Sequence, residues 1–169
     1  AIATVHPTSV DAFFTAARTR RMRMICGKVL MDRNAPEYLI DTPQTGYRES
    51  KELIERWHGK GRLSYAVTPR FAPSCSDAQL ARAAQLIREF PGTYLHTHLA
   101  ENRDEVAWVR RLFPRCRGYL DVYDHFGLLG PRSLFAHCIQ LNHAEFSRLG
   151  QSGSGIAFCP TSNLFLGSG

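Results

Sequence analysis

The segment from His96 to Glu101, with the sequence HTHLAE, holds the densest group of side chains that could do chemistry. On a β-strand His96 and His98 would face the same side, and Glu101 would lie just beyond the strand end. Neutral imidazole is a good zinc ligand, and a nearby carboxylate can move protons between water and a substrate nitrogen. The spacing fits a metal-dependent hydrolase, and it fits hydrogen-bonded core histidines equally well.

A second histidine, His137, follows the apolar run at residues 134–136 and so falls at the end of another candidate strand. A single histidine in that place is more often structural. However, a zinc site needs three or more ligands from separate elements, which makes His137 a candidate partner of His98. The other histidines have weaker claims: His6 could line the same opening, and we expect His58, His125 and His143 at the surface.

Arg70 and Phe71 place a guanidinium group beside an aromatic ring at the end of a third candidate strand. Such a pair could hold a planar heterocycle, since arginine donates to a carbonyl oxygen while the ring stacks. The dipeptide is common and carries little weight alone. The sequence has no GxSxG elbow, P-loop or glycine-rich dinucleotide turn. Cys138 is predicted to be a small core residue rather than a nucleophile.

Short apolar runs alternate with amphipathic stretches along the chain, a pattern that predicts strands separated by helices. The candidate strands are residues 2–5, 23–31, 64–68, 93–98, 133–138 and 155–159. The candidate helices are residues 10–21, 46–58, 77–90 and 103–113, with start signals at Ser9 or Thr8, Thr45, Ser76 and Asn102.

Strands joined by helical crossovers form a parallel sheet, so the predicted class is α/β. Residues 68–70, His98 and His137 each end a different strand, which is where (β/α)8 barrels build active sites. Such barrels usually need about 250 residues. We therefore expect residues 1–169 to form the central part of a single barrel domain, a partial (β/α)8 barrel without its first and last strands. The long irregular segment 32–43 is predicted to be a lid.

Composition narrows the class of protein. The hydrophobic content of 44% argues against disorder, and no run approaches the roughly 18 apolar residues of a membrane span. The first residues lack the pattern of a secretory signal. Five cysteines without a CxxC pair predict a reducing, cytoplasmic setting. The net charge of +6 comes from scattered Lys and Arg, apart from residues 18–23, so no nucleic-acid partner is expected.

Four strings occur in order along the chain: VTPRF at residues 67–71, THLAENRDEV at 97–106, AHC at 136–138 and CPTSN at 159–163. Together they resemble the guanine deaminase family of the amidohydrolase superfamily, and residues 27–32 and 122–124 extend the resemblance over nearly the whole chain. Each string alone is weak, whereas the ordered set is specific. The resemblance implies a distorted (β/α)8 barrel with one zinc ion that hydrolyses guanine to xanthine and ammonia.

The resemblance also implies roles for individual residues. His98 and His137 match the zinc-binding histidines of the family's fifth and sixth strands, and Glu101 matches the catalytic glutamate that transfers protons. Arg70 and Phe71 match the pair that contacts guanine, and His98 and Glu101 would line the same substrate site.

Some parts of the family pattern have no match here. The paired histidines of the first strand and the metal-binding aspartate of the last strand are missing, and His96, on a different strand, is expected to be an inner-wall residue. We therefore expect the 169-residue chain alone to bind zinc weakly and to be inactive. Cys138 stands where family members often have glycine, and we expect it to be tolerated. Open strand edges favour association, with a homodimer as one candidate.

Three other interpretations remain open to comparison. Another amidohydrolase, such as an adenosine-type or triazine deaminase or hydrolase, would share the HxxE spacing and the His137 position. A cytidine-deaminase fold is a poor match, because it needs HxE with PCxxC, whereas the spacing at His98 and Glu101 is HxxE and the chain has no CxxC. In a non-catalytic barrel fragment, the histidines at the strand ends would be inherited from an ancestral enzyme and would have no catalytic role.

Overall fold

A computed structural model describes residues 1–168, which form six parallel strands alternating with helices. The strands are β1 (Ile2–Thr4), β2 (Met24–Leu30), β3 (Leu63–Pro69), β4 (Tyr94–Leu99), β5 (Ser133–His137) and β6 (Gly155–Ala157). The α-helices are α1 (Pro7–Thr19), α2 (Pro43–Trp57), α3 (Asp77–Glu89), α4 (Arg103–Leu112), α5 (Tyr119–His125), α6 (His143–Gln151) and α7 (Pro160–Leu166).

Each strand pairs with its neighbour in the sequence, so the sheet order runs from β1 to β6 without a reversal. Doubly wound sheets reverse their strand order at a switch point, whereas (β/α) barrels add strands in sequence order. The predicted α/β class and barrel arrangement are therefore confirmed. All the carboxyl ends of the strands lie at one edge, which is where the predicted site residues fall.

The face of the sheet that meets the helices forms one apolar core. Along each strand, every second side chain points into this core, because successive side chains of a strand face opposite sides of the sheet. The fully buried members from the strands include Cys26, Leu30, Tyr65, Val67, Leu99 and Phe135. The opposite face admits no side chain at Gly27, where an added Cβ would lie 1.8 Å from the backbone oxygen of Ala66.

Two of the four predicted helix starts are confirmed. Ser76 and Asn102 are the N-caps of α3 and α4, and each side chain accepts a backbone N–H three residues on. The starts predicted at Ser9 or Thr8 and at Thr45 are wrong. Helices α1 and α2 begin earlier, at Pro7 and Pro43, because proline has no N–H to satisfy and its fixed φ suits the first helical position.

Thr42, rather than Thr45, caps α2. Its side chain accepts from Thr45 N at 3.1 Å, and the Thr45 hydroxyl accepts from Thr42 N at 2.9 Å, which completes a capping box. Helices α5, α6 and α7 were not among the predicted elements, and each has only seven to nine residues. None of the helices within residues 1–168 has the length and apolar character needed to cross a membrane.

The segment predicted as a lid is anchored on both sides of its short 3-10 turn, Glu37–Leu39. Before the turn, Asn34 Nδ2 donates to the Pro73 oxygen at 2.7 Å. After it, Asp41 pairs with the ammonium group of Lys28, which is buried on β2. Burying a charge requires such a partner, so this ion pair ties the segment to the sheet.

Candidate active site

His98 reaches the site because of the pleat of β4. Leu95, Thr97 and Leu99 are buried towards the helices, which leaves His96 and His98 on the opposite face. The Nδ1 atom of His98 lies 2.7 Å from the backbone oxygen of Arg70. Since a carbonyl can only accept, Nδ1 carries the proton and Nε2 keeps its lone pair.

His137 reaches the same place by a distortion of the backbone. It ends β5 in register with Leu99, so a regular strand would send its side chain towards the helices. Instead the backbone φ is +71° at His137 and +58° at Cys138. These are left-handed conformations that residues other than glycine rarely adopt. The imidazole consequently stacks on that of His98, with ring centroids 5.3 Å apart.

Asn163, in the first turns of α7, fixes the orientation of His137. Its Oδ1 atom lies 2.7 Å from His137 Nδ1, and both side chains are buried. With Nδ1 donating to that oxygen, Nε2 of His137 keeps its lone pair, as in His98. Asn163 stands at the end of the CPTSN string, but no spacing rule in the sequence links it to a histidine 26 residues earlier.

Glu101 follows β4 at a sharp turn. Ala100 has a left-handed φ of +50°, and its oxygen accepts the backbone N–H groups of Ile139 and Gln140 at 3.1 and 2.9 Å. These bonds tie the turn to the loop that follows His137. The Glu101 Oε1 atom consequently lies 3.5 Å from His137 Nδ1, and it has no hydrogen-bond partner within residues 1–168.

Arg70 and Phe71 follow β3 at the same edge. The Arg70 guanidinium carbon lies 5.2 Å from the centre of the Phe71 ring, and Arg70 is exposed. The Phe71 ring packs edge-on against Trp108, with centroids 6.2 Å apart. A cation and an aromatic face are therefore held side by side within the candidate site, with the Arg70 backbone joined to His98.

The remaining histidines separate into two groups. His96 is partly buried on the inner face, and burial, with a smaller effect of His98, lowers its pKa to about 4. His6, His125 and His143 are exposed. The surface prediction is wrong for His58, which is half-buried because its Nδ1 atom accepts the backbone N–H of Tyr65 at 3.1 Å.

A model of the amidohydrolase family matches residues 1–169. The chain belongs to the amidohydrolase family. Guanine deaminase from Escherichia coli (strain K12) is 61% identical over 166 residues, which are 98% of this chain and 38% of that protein. A solved structure of E. coli guanine deaminase matches with a TM-score of 0.97, over 98% of this chain and 39% of the other.

Two further solved structures are informative about this amidohydrolase. Guanine deaminase from C. acetobutylicum, with guanine bound in its active site, is 35% identical with a TM-score of 0.94, over 99% of this chain and 41% of the other. A zinc-bound adenosine deaminase from Xanthomonas campestris is 26% identical with a TM-score of 0.84, over 95% of this chain and 35% of the other. The chain spans well under half the length of each of these relatives.

The donor set of the amidohydrolase chain fits part of a zinc site. His98 and His137 both have Nδ1 bonded to an oxygen, so both present an unprotonated Nε2, the form of imidazole that binds metals. Burial lowers the pKa of His98, against the opposing effect of its bond to Arg70, and thereby favours the neutral ring. Within residues 1–168 no group of three or more potential ligands is assembled. Two ligands are fewer than zinc requires.

Proposed function

We propose that this amidohydrolase chain carries part of the active site of a zinc-dependent guanine deaminase, which hydrolyses guanine to xanthine and ammonia. The proposal rests mainly on one observation. Two stacked imidazoles, each with Nδ1 bonded to an oxygen, lie at the same strand edge as the Glu101 carboxylate, whose Oε1 atom has no hydrogen-bond partner within residues 1–168. Relatives named guanine deaminase, one of them with bound guanine, support the choice of substrate.

His98 and His137 would be two of the zinc ligands. Zinc at such a site would act as a Lewis acid and lower the pKa of water. Hydroxide would then be available at neutral pH to attack a ring carbon. The bonds from Arg70 O and Asn163 Oδ1 hold the two rings in the required tautomer. The similar structure of a zinc-bound adenosine deaminase from Xanthomonas campestris supports the choice of metal.

Glu101 would be the proton-transfer group. Its Oε1 atom makes no hydrogen bond within residues 1–168, so it is free to take a proton from the attacking water. That proton is delivered to the ring nitrogen beside C2 of guanine as the water oxygen bonds to C2. The second proton of the water passes to the C2 amino group, and the C–N bond then breaks to release ammonia. The water oxygen remains on C2, which balances guanine and water against xanthine and ammonia.

Arg70 and Phe71 would hold the purine. The exposed guanidinium group can donate to the guanine carbonyl oxygen, while the Phe71 ring, braced by Trp108, offers a face for stacking. We also propose a cytoplasmic protein, because all five cysteines are free thiols.

The deciding experiment measures ammonia release by the complete protein from guanine, adenine, adenosine, cytosine and a chlorotriazine. We expect release from guanine only, and loss of activity in Glu101→Gln with zinc still bound. Zinc content by metal analysis should fall in His98→Ala. Turnover of adenosine or the triazine instead of guanine would show that the substrate is a different heterocycle. Robust guanine turnover by the 169-residue chain alone would contradict the prediction that its zinc site is incomplete.

A further inference from the structure

Tyr123, on α5, is a buried tyrosine whose hydroxyl lies among the residues of the candidate site. The side chain is fully buried, and its ring packs against Tyr119 and Phe135, with centroids 5.9 and 5.5 Å away. Ring packing alone does not need a hydroxyl, and a buried O–H group costs free energy unless it finds partners. The partners of this hydroxyl lie at the strand edge that carries the site. Hydrolysis as proposed above gives Tyr123 no part.

The Tyr123 hydroxyl contacts the ends of two neighbouring strands. It donates to the backbone oxygen of His98 at 2.8 Å, and it accepts the backbone N–H of Ala72 at 3.0 Å. The Thr97 hydroxyl lies 3.1 Å away. Burial raises the pKa of Tyr123 above its ordinary value of 10, so the group keeps the proton that it donates. One side chain is therefore bonded both to the end of β4 and to the residue that follows Phe71.

The backbone ladder between β3 and β4 stops short of the site. Within residues 1–168 the last register pair between these strands is Val67 with Leu95, whereas β4 and β5 stay paired as far as Leu99 with His137. Beyond Val67 the separation of the two strand ends therefore depends on individual hydrogen bonds.

Two groups hold the strand ends together there. The Arg70 backbone oxygen lies 2.7 Å from His98 Nδ1 and 3.3 Å from His98 N. The Tyr123 hydroxyl joins the His98 oxygen to Ala72 N, which begins a 3-10 turn and so has no acceptor within that turn. The second group reaches past Phe71, the residue that would stack on the purine. Arg70 and Phe71 are thus held on both sides.

We infer that Tyr123 is a positioning residue for the substrate site: its hydroxyl holds the Arg70–Phe71 segment at a fixed distance from the strand end that carries His98. Guanine bound by Arg70 and Phe71 must present C2 to the attacking water beside His98, so a loosened segment misaligns the reacting atoms. This effect on catalysis rests on the proposed deaminase function, whereas the effect on the segment itself does not.

The test compares Tyr123→Phe with the matched control Tyr119→Phe in the complete zinc-bound protein. Each variant removes one buried hydroxyl from α5. The Tyr119 hydroxyl has no hydrogen-bond partner within residues 1–168, so only Tyr123→Phe breaks bonds to the site. Hydrogen exchange of the Ala72 amide is measured together with zinc content, kcat and KM for guanine, well below the melting temperature of each variant.

In Tyr123→Phe we expect the Ala72 amide to exchange roughly tenfold faster or more, because its acceptor is gone. The value of kcat/KM for guanine should fall about 10- to 100-fold, through a lower kcat and a higher KM. Zinc content should stay at the wild-type level, since the bonds from His98 to the Arg70 oxygen remain. Tyr119→Phe should match the wild type in all of these measurements. A hydroxyl with a merely structural role would lower the melting temperature and leave kcat and KM unchanged.

Three results would overturn the inference. They are wild-type exchange of the Ala72 amide in Tyr123→Phe, wild-type kcat and KM in that variant, and equal losses in Tyr119→Phe. Loss of zinc from Tyr123→Phe would also contradict it, because the effect would then lie on the metal ligand rather than on the substrate segment.

If Tyr123→Phe fails to fold, Thr97→Val decides, because it removes the hydroxyl that contacts both Tyr123 and the Arg70 oxygen. Faster Ala72 exchange with a lower kcat/KM then supports the link between the strand ends, and wild-type values contradict it. A wild-type protein that leaves guanine intact, while Tyr123→Phe still speeds Ala72 exchange, would refute the deaminase proposal and support the link.

Discussion

The imidazole rings of His98 and His137 stack at an interplanar angle of 25°, although the two residues are not register partners. His98 pairs with Ala136, and His137 pairs with Leu99, whose side chain is in the core. Two consecutive left-handed residues, His137 and Cys138, rotate the second ring onto the first. The backbone conformation after β5 is therefore as much a part of the site as the imidazoles are.

Asn163→Leu should weaken zinc binding by the complete protein by about 10- to 100-fold, the usual effect of removing an outer-shell partner of a metal-binding histidine. Leucine removes the acceptor for His137 Nδ1, whereas Asn163→Asp keeps it. Competition titration with a zinc chelator measures the effect. Asn142→Ala, which removes only the cap of α6, is the control and should leave the affinity unchanged. Equal affinities for the Leu and Asp variants would contradict the role of Asn163.

Cys138→Gly should keep the free energy of unfolding within about 1 kcal/mol of the wild type, while Cys138→Val should lower it by roughly 2 kcal/mol. Glycine adopts φ near +58° without strain, and a β-branched residue adopts it least well. Urea unfolding measures the difference, with Cys116→Val as the control at a cysteine without positive φ. Equal losses from valine at both positions would rule out the conformational explanation.

The strand pattern was enough to predict the sheet and the position of His98. Short apolar runs predicted all six strands within about two residues at each end, and the two-residue period placed His96 and His98 on one face. Ser76 and Asn102 were predictable caps because their side chains act within one turn. These features depend on interactions that are local in the sequence.

Other parts of the site depend on contacts that are distant in sequence. The bond between His137 and Asn163 spans 26 residues, and the left-handed conformations of Ala100, His137 and Cys138 oppose the intrinsic preference of those residues. No local propensity predicts them, since the packed loops enforce them. His58 was misassigned for the same reason, because its partner, Tyr65 N, lies across a turn on β3.

Gly27→Ala should lower the free energy of unfolding by about 3 kcal/mol or more, because the added methyl group would lie 1.8 Å from a backbone oxygen on β3. The neighbouring strand would have to move to admit it. Thermal or urea unfolding of the complete protein measures the loss. Gly130→Ala is the matched control, since nothing lies within 4 Å of its added Cβ, and it should be nearly neutral. A Gly27→Ala protein as stable as Gly130→Ala would show that the sheet is not closely packed there.

His58 should make the protein less stable in mild acid. Burial, followed by the charge of Arg132, lowers the pKa of His58 in the folded state below its ordinary value of 6.5. The unfolded chain therefore binds the proton first, and stability that is present above pH 6.5 is lost as the pH falls through and below that value. Protonation of Nδ1 would also remove the acceptor of Tyr65 N.

The measurement is the fall in melting temperature between pH 8 and pH 5.5, compared for the wild type, His58→Gln and the exposed control His125→Gln. Glutamine can accept the Tyr65 N–H but does not titrate, so the fall should be smaller in His58→Gln. The control should behave like the wild type, because His125 is exposed. The same fall in all three proteins would mean that the acid sensitivity comes from other groups. A larger fall in His58→Gln would contradict the direction of the His58 pKa shift.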